Sequence, residues 1–211
     1  MGDGRQVDAV LVDWGGVLTV PVPAFVDDWL RVDRIDRERY HVTMSDWLHS
    51  GSGPVADLET GVLSVAEFEH LLAAELVTLD GGQVHAPGLL TRMFGTAHTD
   101  PAMVGLVRDL RAAGVHTVLL SNSWGEDGYP VTLLTELFDT LVISARVGLR
   151  KPDRAIFDHT LDLVGLPADR CVFVDDMPAN VDAARALGLH AHRHTTADDT
   201  RAALARLGVV A

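Results

Sequence analysis

Residues 7–20 are VDAVLVDWGGVLTV, and this stretch decides the fold. The unbroken apolar run from Ala9 to Val12 is typical of a strand that is buried on both faces, as in the centre of a parallel sheet. Asp13 follows the run directly, and Gly15 and Gly16 then allow a sharp turn. The stretch predicts a carboxylate at the carboxyl end of a central strand, where open α/β sheets bind their ligands. An ordinary strand exit has the same local pattern, so this stretch alone leaves both interpretations open.

Composition places the chain among globular proteins of the cytoplasm. Its 211 residues suffice for one sizeable core with a smaller insertion, and 47% of them are hydrophobic. The net charge of -13 argues against a general nucleic-acid surface, because phosphate backbones are bound mainly by Lys and Arg. No apolar run approaches the length of a membrane span, and the N-terminus lacks the pattern of a signal peptide. We therefore predict a cytoplasmic protein that binds neither nucleic acid nor membrane.

The segment after the glycine turn has a helical pattern. Ser64 and Glu67 form a capping box at the start of one of its helices. We predict a small helical cap over residues 21–94, inserted after the first strand, and a core domain made of residues 1–20 and 95–211. Trp29 and Trp47 could face either the cap's own core or the cleft. Three helical segments are predicted: Phe25, Trp29, Val32 and Ile35 recur at three- and four-residue spacing in the first, Trp47 and Leu48 fall in the second, and Val65, Phe68, Leu71, Leu72 and Leu76 line the third.

From residue 100 onward, strands and helices alternate as they do in parallel α/β proteins. Each strand is a short apolar run, and amphipathic helical patterns separate the runs. With the first strand, this order predicts an α/β fold with a doubly wound parallel sheet. The further strands are predicted at Val115–Leu120, Thr140–Ile143, Cys171–Val174 and Leu189–Arg193.

Polar residues follow three of the predicted strands. Because parallel strands all end on the same side of their sheet, these side chains should converge at one edge. Lys151 lies in a loop that opens a helix, and it is the one lysine in a chain with seventeen Lys and Arg residues. A lysine supplies a compact charge where arginine supplies a planar fork, so this exception suits a phosphoryl group. The residues that follow the strands are Asp13, Ser121, Asn122, Asp175 and Asp176.

This set is what a magnesium-dependent phosphoryl transfer through an aspartyl phosphate requires. Asp13 would be the nucleophile and would share Mg2+ with one or both of Asp175 and Asp176, since Mg2+ prefers oxygen ligands. The reaction brings two anions together, so its barrier is largely electrostatic and positive charge lowers it.

Three further residues would contact the phosphoryl group. Lys151 would neutralise the phosphoryl oxygens and the nucleophile, and Ser121 and Asn122 would donate hydrogen bonds to the same oxygens. Each residue also has a plain structural interpretation, as a helix cap or a solvated strand exit. The joint arrangement favours the site.

Four motifs of the chain resemble, in order, those of the haloacid dehalogenase superfamily of hydrolases. They are Asp13–Val17, Leu120–Asn122, Lys151–Pro152 and Val172–Asp176. Two segments, Leu58–Phe68 and Asp175–Arg185, are similar to the branch that includes the N-terminal phosphatase domain of soluble epoxide hydrolases. The resemblance covers essentially the whole chain. It implies a doubly wound core with a small helical cap, Mg2+ dependence and action on small phosphorylated molecules.

The resemblance also implies residue roles. By the family pattern Asp13 is the nucleophile, and Ser121, Asn122 and Lys151 contact the phosphate. The metal ligands are Asp13, the backbone carbonyl of Gly15 and Asp176, with help from Asp175. Asn180 matches a supporting polar position near the metal loop.

Gly15 is the departure from this pattern. Family phosphatases usually carry a second aspartate there, which protonates the leaving alkoxide and then activates water. Such acid–base help is commonly worth about 10²–10⁴-fold in rate. We hypothesise that the acid comes from the cap or the substrate, or that the leaving group needs none. The candidate acids in the cap are Asp27, Asp28, His41 and His49.

Three alternative functions follow from the same departure. A phosphate- or partner-binding protein without catalysis would tolerate Gly15. The phosphonate-cleaving branch also has Asp-Trp followed by a small residue, but it relies on a cap lysine, which residues 21–94 do not contain. The dehalogenase branch uses no metal and has no need of the pair Asp175 and Asp176. The phosphatase interpretation accounts for more of the residues.

Overall fold

The computed structural model of the protein describes residues 6–125 and 129–209. Its centre is a five-stranded parallel sheet with the order β3-β2-β1-β4-β5, which confirms the predicted α/β class and doubly wound topology. The first strand lies in the middle, as its fully buried apolar run predicts. The strands are β1 (Ala9–Val12), β2 (His116–Ser121), β3 (Thr140–Ile143), β4 (Cys171–Asp175) and β5 (His190–Arg193).

Helices cover both faces of this sheet. Alternate residues of β1 point to opposite faces, so Val10 and Val12 pack with one hydrophobic cluster while Ala9 and Leu11 pack with another. The helices are α1 (Val22–Val32), α2 (Arg37–His49), α3 (Pro54–Glu59), α4 (Val65–Glu75), α5 (Leu89–Met93), α6 (Pro101–Ala112), α7 (Val131–Leu137), α8 (Ser144–Val147), α9 (Arg154–Val164), α10 (Pro178–Ala186) and α11 (Ala197–Arg206).

The first five helices lie between β1 and α6, and we call residues 22–93 the helical insertion. They share a hydrophobic cluster of their own, which includes Phe25, Trp29 and Phe68. The capping box of Ser64 and Glu67 is present as predicted at the start of α4. The sequence predicted three helical segments here, and α3 and α5 are additional short helices. The division of the chain into a core and a cap domain stays a prediction.

The chain leaves for the insertion and returns from it at the same place. Val20 N donates to the carbonyl of His98 at 3.0 Å, and Asp100 N donates to the carbonyl of Leu18 at 2.9 Å. The two connecting segments therefore run antiparallel, side by side.

Strand register sets the position of the candidate residues. Val12 pairs with Leu119 on one side and with Val174 on the other, so Asp13 lies level with Asp175. Strand β2 begins one residue later than predicted, at His116. Strands β2 and β4 each extend one residue further than predicted and end on the polar residue itself. Among the described residues, no helix is both long enough and apolar enough to cross a membrane.

Candidate active site

The carboxyl ends of β1, β2 and β4 meet around the ammonium group of Lys151. Lys151 Nζ lies 2.8 Å from Asp13 Oδ1, 2.7 Å from Asp175 Oδ2 and 2.8 Å from the carbonyl of Leu120. An ammonium group has three protons, so each of these acceptors takes one. The side chain of Lys151 is only 1% exposed, so it is held there by the two carboxylates and the strand end rather than by water. The structure brings these predicted residues together.

Burial and charge act against each other on the nucleophile candidate. Burial raises the pKa of Asp13 to about 7, Lys151 opposes this rise, and the nearby carboxylates Asp175 and Asp176 add to it. The pKa of Lys151 is raised by Asp13 and Asp175, which outweigh the opposing effect of its burial. Lys151 therefore stays charged, and its charge favours the ionised form of the Asp13 carboxyl.

The three acidic side chains can share one cation. Asp13, Asp175 and Asp176 each offer a carboxylate oxygen, and these oxygens lie within 4.8 Å of one another. Burial and the charge of Asp175 raise the pKa of Asp176 to about 6. Three carboxylate oxygens this close together fit a hard divalent cation such as Mg2+, because Mg2+ prefers oxygen ligands. No other group of three His, Cys or carboxylate ligands this close occurs in the part of the chain that the structure describes.

The Asp175 carboxylate is more fully hydrogen-bonded within the protein than the Asp176 carboxylate. Both of its carboxylate oxygens accept from Asn180 Nδ2, at 3.1 and 3.0 Å, and Met177 N donates to Oδ1 at 2.8 Å. With Lys151 on Oδ2, the fully buried carboxylate is surrounded by donors. Asn180 therefore lies where the family pattern predicted a supporting residue. This geometry leaves Asp176 and Asp13 as the better placed metal ligands, with Asp175 holding Lys151.

The two glycines of the turn meet different demands. Gly16 has a φ of +70°, and a Cβ there would lie 2.5 Å from Asp176 Oδ2. Its N–H donates to Thr19 Oγ1 at 3.0 Å, which fixes the turn. Gly15 has an ordinary φ, and a Cβ there would meet only Val22 Cγ2, at 3.7 Å. Gly16 is thus required by the close approach of the turn to the acidic cluster, whereas Gly15 leaves room for a side chain.

Ser121 has a partner that the sequence did not indicate. Its hydroxyl lies 2.8 Å from the hydroxyl of Tyr129, and both side chains are buried. The pKa of Tyr129 is raised, first by burial, so its hydroxyl keeps its proton. The Tyr129 ring packs against Trp14, with 5.7 Å between ring centroids. If Tyr129 donates to Ser121, the one proton of the Ser121 hydroxyl is left for a ligand.

Asn122 clamps the backbone of Lys151. Its Oδ1 accepts from Lys151 N at 2.9 Å, and its Nδ2 donates to the carbonyl of Lys151 at 2.9 Å. The same Nδ2 donates to Glu59 Oε2 at 3.2 Å. Both amide hydrogens are therefore engaged, and a phosphate contact from this side chain would break one of these bonds. The predicted phosphate contact of Asn122 stays a prediction, while its role in holding the Lys151 loop is visible.

Glu59 is the second residue that sequence analysis did not single out. It belongs to Leu58–Phe68, the segment used for the resemblance, yet it contacts the loops at the ends of β2 and β3. The sequence held no clear signal for it, because the helix that Glu59 ends has only six residues, too few to show a period.

The four candidate acids of the cap have other surroundings. Asp27 forms an ion pair with Arg37 on the surface, and Asp28 pairs with Arg31 at 3.2 Å. His41 is exposed, and the side chain of His49 lies outside the description. Two tryptophans for which core and cleft were alternatives, Trp29 and Trp47, pack with the cluster of the insertion.

Comparison with known proteins supports the sequence motifs. The family profile described as haloacid dehalogenase-like hydrolase matches residues 7–188. The sesquiterpene phosphatase astK of Aspergillus oryzae is 31% identical over 134 residues, which are 62% of this chain and 67% of that protein. The bifunctional epoxide hydrolase 2 of Sus scrofa is 36% identical over 196 residues, which are 86% of this chain but only 35% of that protein. The chain thus spans about a third of the length of the epoxide hydrolase.

Solved structures share the fold. A HAD family enzyme from Bacteroides thetaiotaomicron, crystallised with magnesium and inorganic phosphate, superposes with a TM-score of 0.66. The alignment covers 90% of this chain and 94% of that one, at 18% identity. The identity is low, so the likeness concerns the course of the backbone.

Proposed function

We propose that this chain, which belongs to the haloacid dehalogenase-like hydrolases, is a Mg2+-dependent phosphatase that acts on small phosphorylated molecules. The observation that carries the proposal is the contact of Lys151 with Asp13 at the end of the central strand, next to Asp176. The Asp13 carboxylate is held by the buried ammonium group of Lys151 and lies beside further carboxylate oxygens. This arrangement suits nucleophilic attack on a phosphoryl group, which is itself an anion. The names of the relatives, a sesquiterpene phosphatase among them, agree with this class of reaction.

The reaction has two displacements at phosphorus. A carboxylate oxygen of Asp13 forms a bond to phosphorus while the bond to the ester oxygen breaks, and the leaving alkoxide takes up a proton from solvent. Water then attacks phosphorus and passes a proton to solvent while the bond between phosphorus and the Asp13 oxygen breaks, so that inorganic phosphate leaves and the Asp13 carboxylate is restored. Asp13 and Asp176 would hold Mg2+, which supplies positive charge to the phosphoryl oxygens when bound. Lys151 favours the ionised form of Asp13 before the attack, and Ser121 donates to a phosphoryl oxygen.

Gly15 bears on which phosphate esters are hydrolysed. It has no side chain that could donate a proton to the leaving alcohol, and Asp27 and Asp28 pair with arginines elsewhere. We therefore expect the enzyme to prefer esters whose leaving group is stable as an anion, such as aryl phosphates, over simple alkyl phosphates. The second candidate function, phosphate binding without turnover, also follows from Gly15.

Phosphate release with and without Mg2+ separates the two functions. We expect wild type to release phosphate from activated aryl phosphates only with Mg2+, and Asp13→Asn to abolish the release. Gly15→Asp should extend activity to alkyl phosphates, because a Cβ at this position meets no close contact and the carboxyl group could supply the missing proton. Wild type that is inert towards every ester while Gly15→Asp is active would favour the binding protein. Activity that survives Asp13→Asn would refute the proposed nucleophile.

A further inference from the structure

Glu59 is a buried carboxylate of the helical insertion that faces three donors from the sheet side of the molecule. Its Oε2 accepts from Arg150 Nε at 2.7 Å and from Asn122 Nδ2 at 3.2 Å, and its Oε1 accepts from Trp124 Nε1 at 3.1 Å. The side chains of Arg150 and Glu59 are 11% and 6% exposed. Burying such an ion pair costs desolvation free energy, so its presence points to a role other than stability.

The backbone of Glu59 is held as firmly as its side chain. Its carbonyl accepts from Ser144 Oγ at 2.5 Å, and Ser144 Oγ accepts in turn from Ser123 N at 2.8 Å. Two residues further on, Gly61 approaches the loop after β3 so closely that a Cβ would lie 2.8 Å from the carbonyl of Ala145. The end of α3 is therefore fixed against the ends of β2 and β3.

Two of the partners of Glu59 are connected directly to the backbone of Lys151. Asn122 bonds to both the N–H and the carbonyl of Lys151, and Arg150 precedes Lys151 in the chain. Lys151 Nζ then reaches Asp13 and Asp175. A continuous series of contacts thus runs from the insertion to the candidate nucleophile, and every bond in it is between described side chains or backbone groups.

We propose that Glu59 is a positioning residue, which fixes Lys151 against Asp13 through Asn122 and Arg150. The inference deepens the proposed function, and its effect on activity rests on that function, whereas its effect on the place of Lys151 does not. A carboxylate can serve all three donors because it has two acceptor oxygens and a charge. A glutamine has one acceptor oxygen and an NH2 group that faces the same donors, so it cannot.

The single lysine of the chain makes Lys151 directly observable. Protein labelled with [15N]lysine gives one lysine backbone amide signal, and this N–H is the group that donates to Asn122 Oδ1. We expect Glu59→Gln to shift that signal and to speed its hydrogen exchange at least about tenfold, because a loss near 1.4 kcal/mol of local stability is a tenfold change. This measurement needs neither substrate nor metal.

Glu69→Gln is the matched control. Glu69 is also buried in the insertion, but it accepts from two backbone N–H groups, of Gly88 and Leu90, both at 2.9 Å. It should lower thermal stability as Glu59→Gln does and leave the Lys151 signal unchanged. If Glu59→Gln fails to fold, the double variant Glu59→Gln with Arg150→Met removes both charges together. We expect it to fold with the hydrogen exchange of the Lys151 N–H still faster than in wild type, and the exchange rate is the readout because the signal itself shifts with any change of the preceding residue.

Activity supplies the second readout. Per folded molecule, Glu59→Gln should lower kcat about tenfold or more with KM nearly unchanged, since a displaced Lys151 stabilises the reacting carboxylate less. A Lys151 signal and exchange rate like those of wild type in Glu59→Gln would overturn the inference. A displaced signal in a protein that never releases phosphate would sustain the positioning role and refute the phosphatase instead.

Discussion

At the scale of the residue, the turn after β1 contains two glycines with opposite constraints. Gly16 is close-packed against Asp176 in a left-handed conformation, whereas Gly15 lies in an ordinary conformation where a Cβ would make only an ordinary contact with Val22. The sequence alone does not distinguish these two glycines. Only the packing around them shows that the fold requires Gly16.

We expect Gly16→Ala to weaken Mg2+ binding at least about tenfold, because the new methyl group must displace the Asp176 carboxylate. The left-handed φ adds a cost of about 1–2 kcal/mol to folding. Calorimetric Mg2+ titration and thermal unfolding measure the two effects. Gly15→Ala is the control and should leave both near wild type. Equal behaviour of the two variants would show that the turn does not set the position of Asp176.

Tyr129 carries a prediction of the same kind. Tyr129→Phe removes the hydroxyl beside Ser121, so the Ser121 proton loses its fixed direction. A lost hydrogen bond of this type costs about 1 kcal/mol, so kcat/KM for Mg2+-dependent phosphate release should fall about five- to tenfold. The control is Tyr40→Phe, which changes a buried tyrosine of the insertion and should leave kcat/KM unchanged. A Tyr129→Phe enzyme as active as wild type would assign the tyrosine to packing alone.

The sequence predicted part of this site for a clear reason. Asp13 and Asp175 each stand at the end of an apolar run, and parallel strands end together, so their proximity followed from topology. The contact of Tyr129 with Ser121 did not follow, because no periodicity orients a loop tyrosine. The side chain of Asn122 holds the backbone of Lys151, and its predicted phosphate contact stays a prediction. Its residue type indicated a donor but not a direction.

At the scale of the element, two neighbouring strands end in carboxylates. Asp13 after β1 and the pair at the end of β4 lie at one sheet edge, and the pKa values of Asp13 and Asp176 are raised to about 7 and about 6. Between about pH 4 and pH 7 the folded chain therefore binds protons more tightly than the unfolded chain does. These two groups consequently stabilise the fold less as pH rises through this window, and the loss is complete above it.

Mg2+ bound to these carboxylates would compete with those protons. We expect millimolar Mg2+ to raise Tm by a few degrees at about pH 8 and by clearly less at about pH 5. Binding that adds about 1 kcal/mol to the free energy of unfolding shifts Tm by about 2–4 °C in a chain of this size. Thermal unfolding with and without Mg2+ at both pH values is the measurement. Asp13→Asn should reduce the gain at the higher pH. An equal gain at both would exclude the carboxylate cluster as the binding site.

The strands were the elements that the sequence predicted best. Strand β1 is fully buried and has no polar interruption, so it was predicted to the residue. Strand β3 was also predicted to the residue, although Leu141 in it is exposed. Strands β2 and β4 extend onto Ser121 and Asp175, because a polar residue at a strand end can still pair in the ladder. The short helices α3 and α5 were missed, since six and five residues are too few to show a period.

At the scale of the whole molecule, the insertion and the sheet are joined through buried charge as well as through the chain. The Arg150–Glu59 pair unites residues 91 positions apart, and nothing local in either segment indicates its partner. Sequence patterns describe periodicity within an element, and this contact arises only when two elements meet. That is why the motifs predicted the residues around Asp13 but not the residue that connects them to the insertion.

The side-by-side passage of the chain at residues 18–20 and 98–100 has an evolutionary consequence. A segment whose two ends are neighbours can be lengthened, shortened or exchanged without moving the strands that it interrupts, so such a point is a natural site of recombination between related genes. Exchange of the insertion here would leave the sheet topology unchanged, but the new segment would have to satisfy the contacts that the insertion now makes with the sheet. Any replacement segment would need its own carboxylate for Arg150, or it would leave that guanidinium buried next to Lys151 without the ion pair that Glu59 supplies.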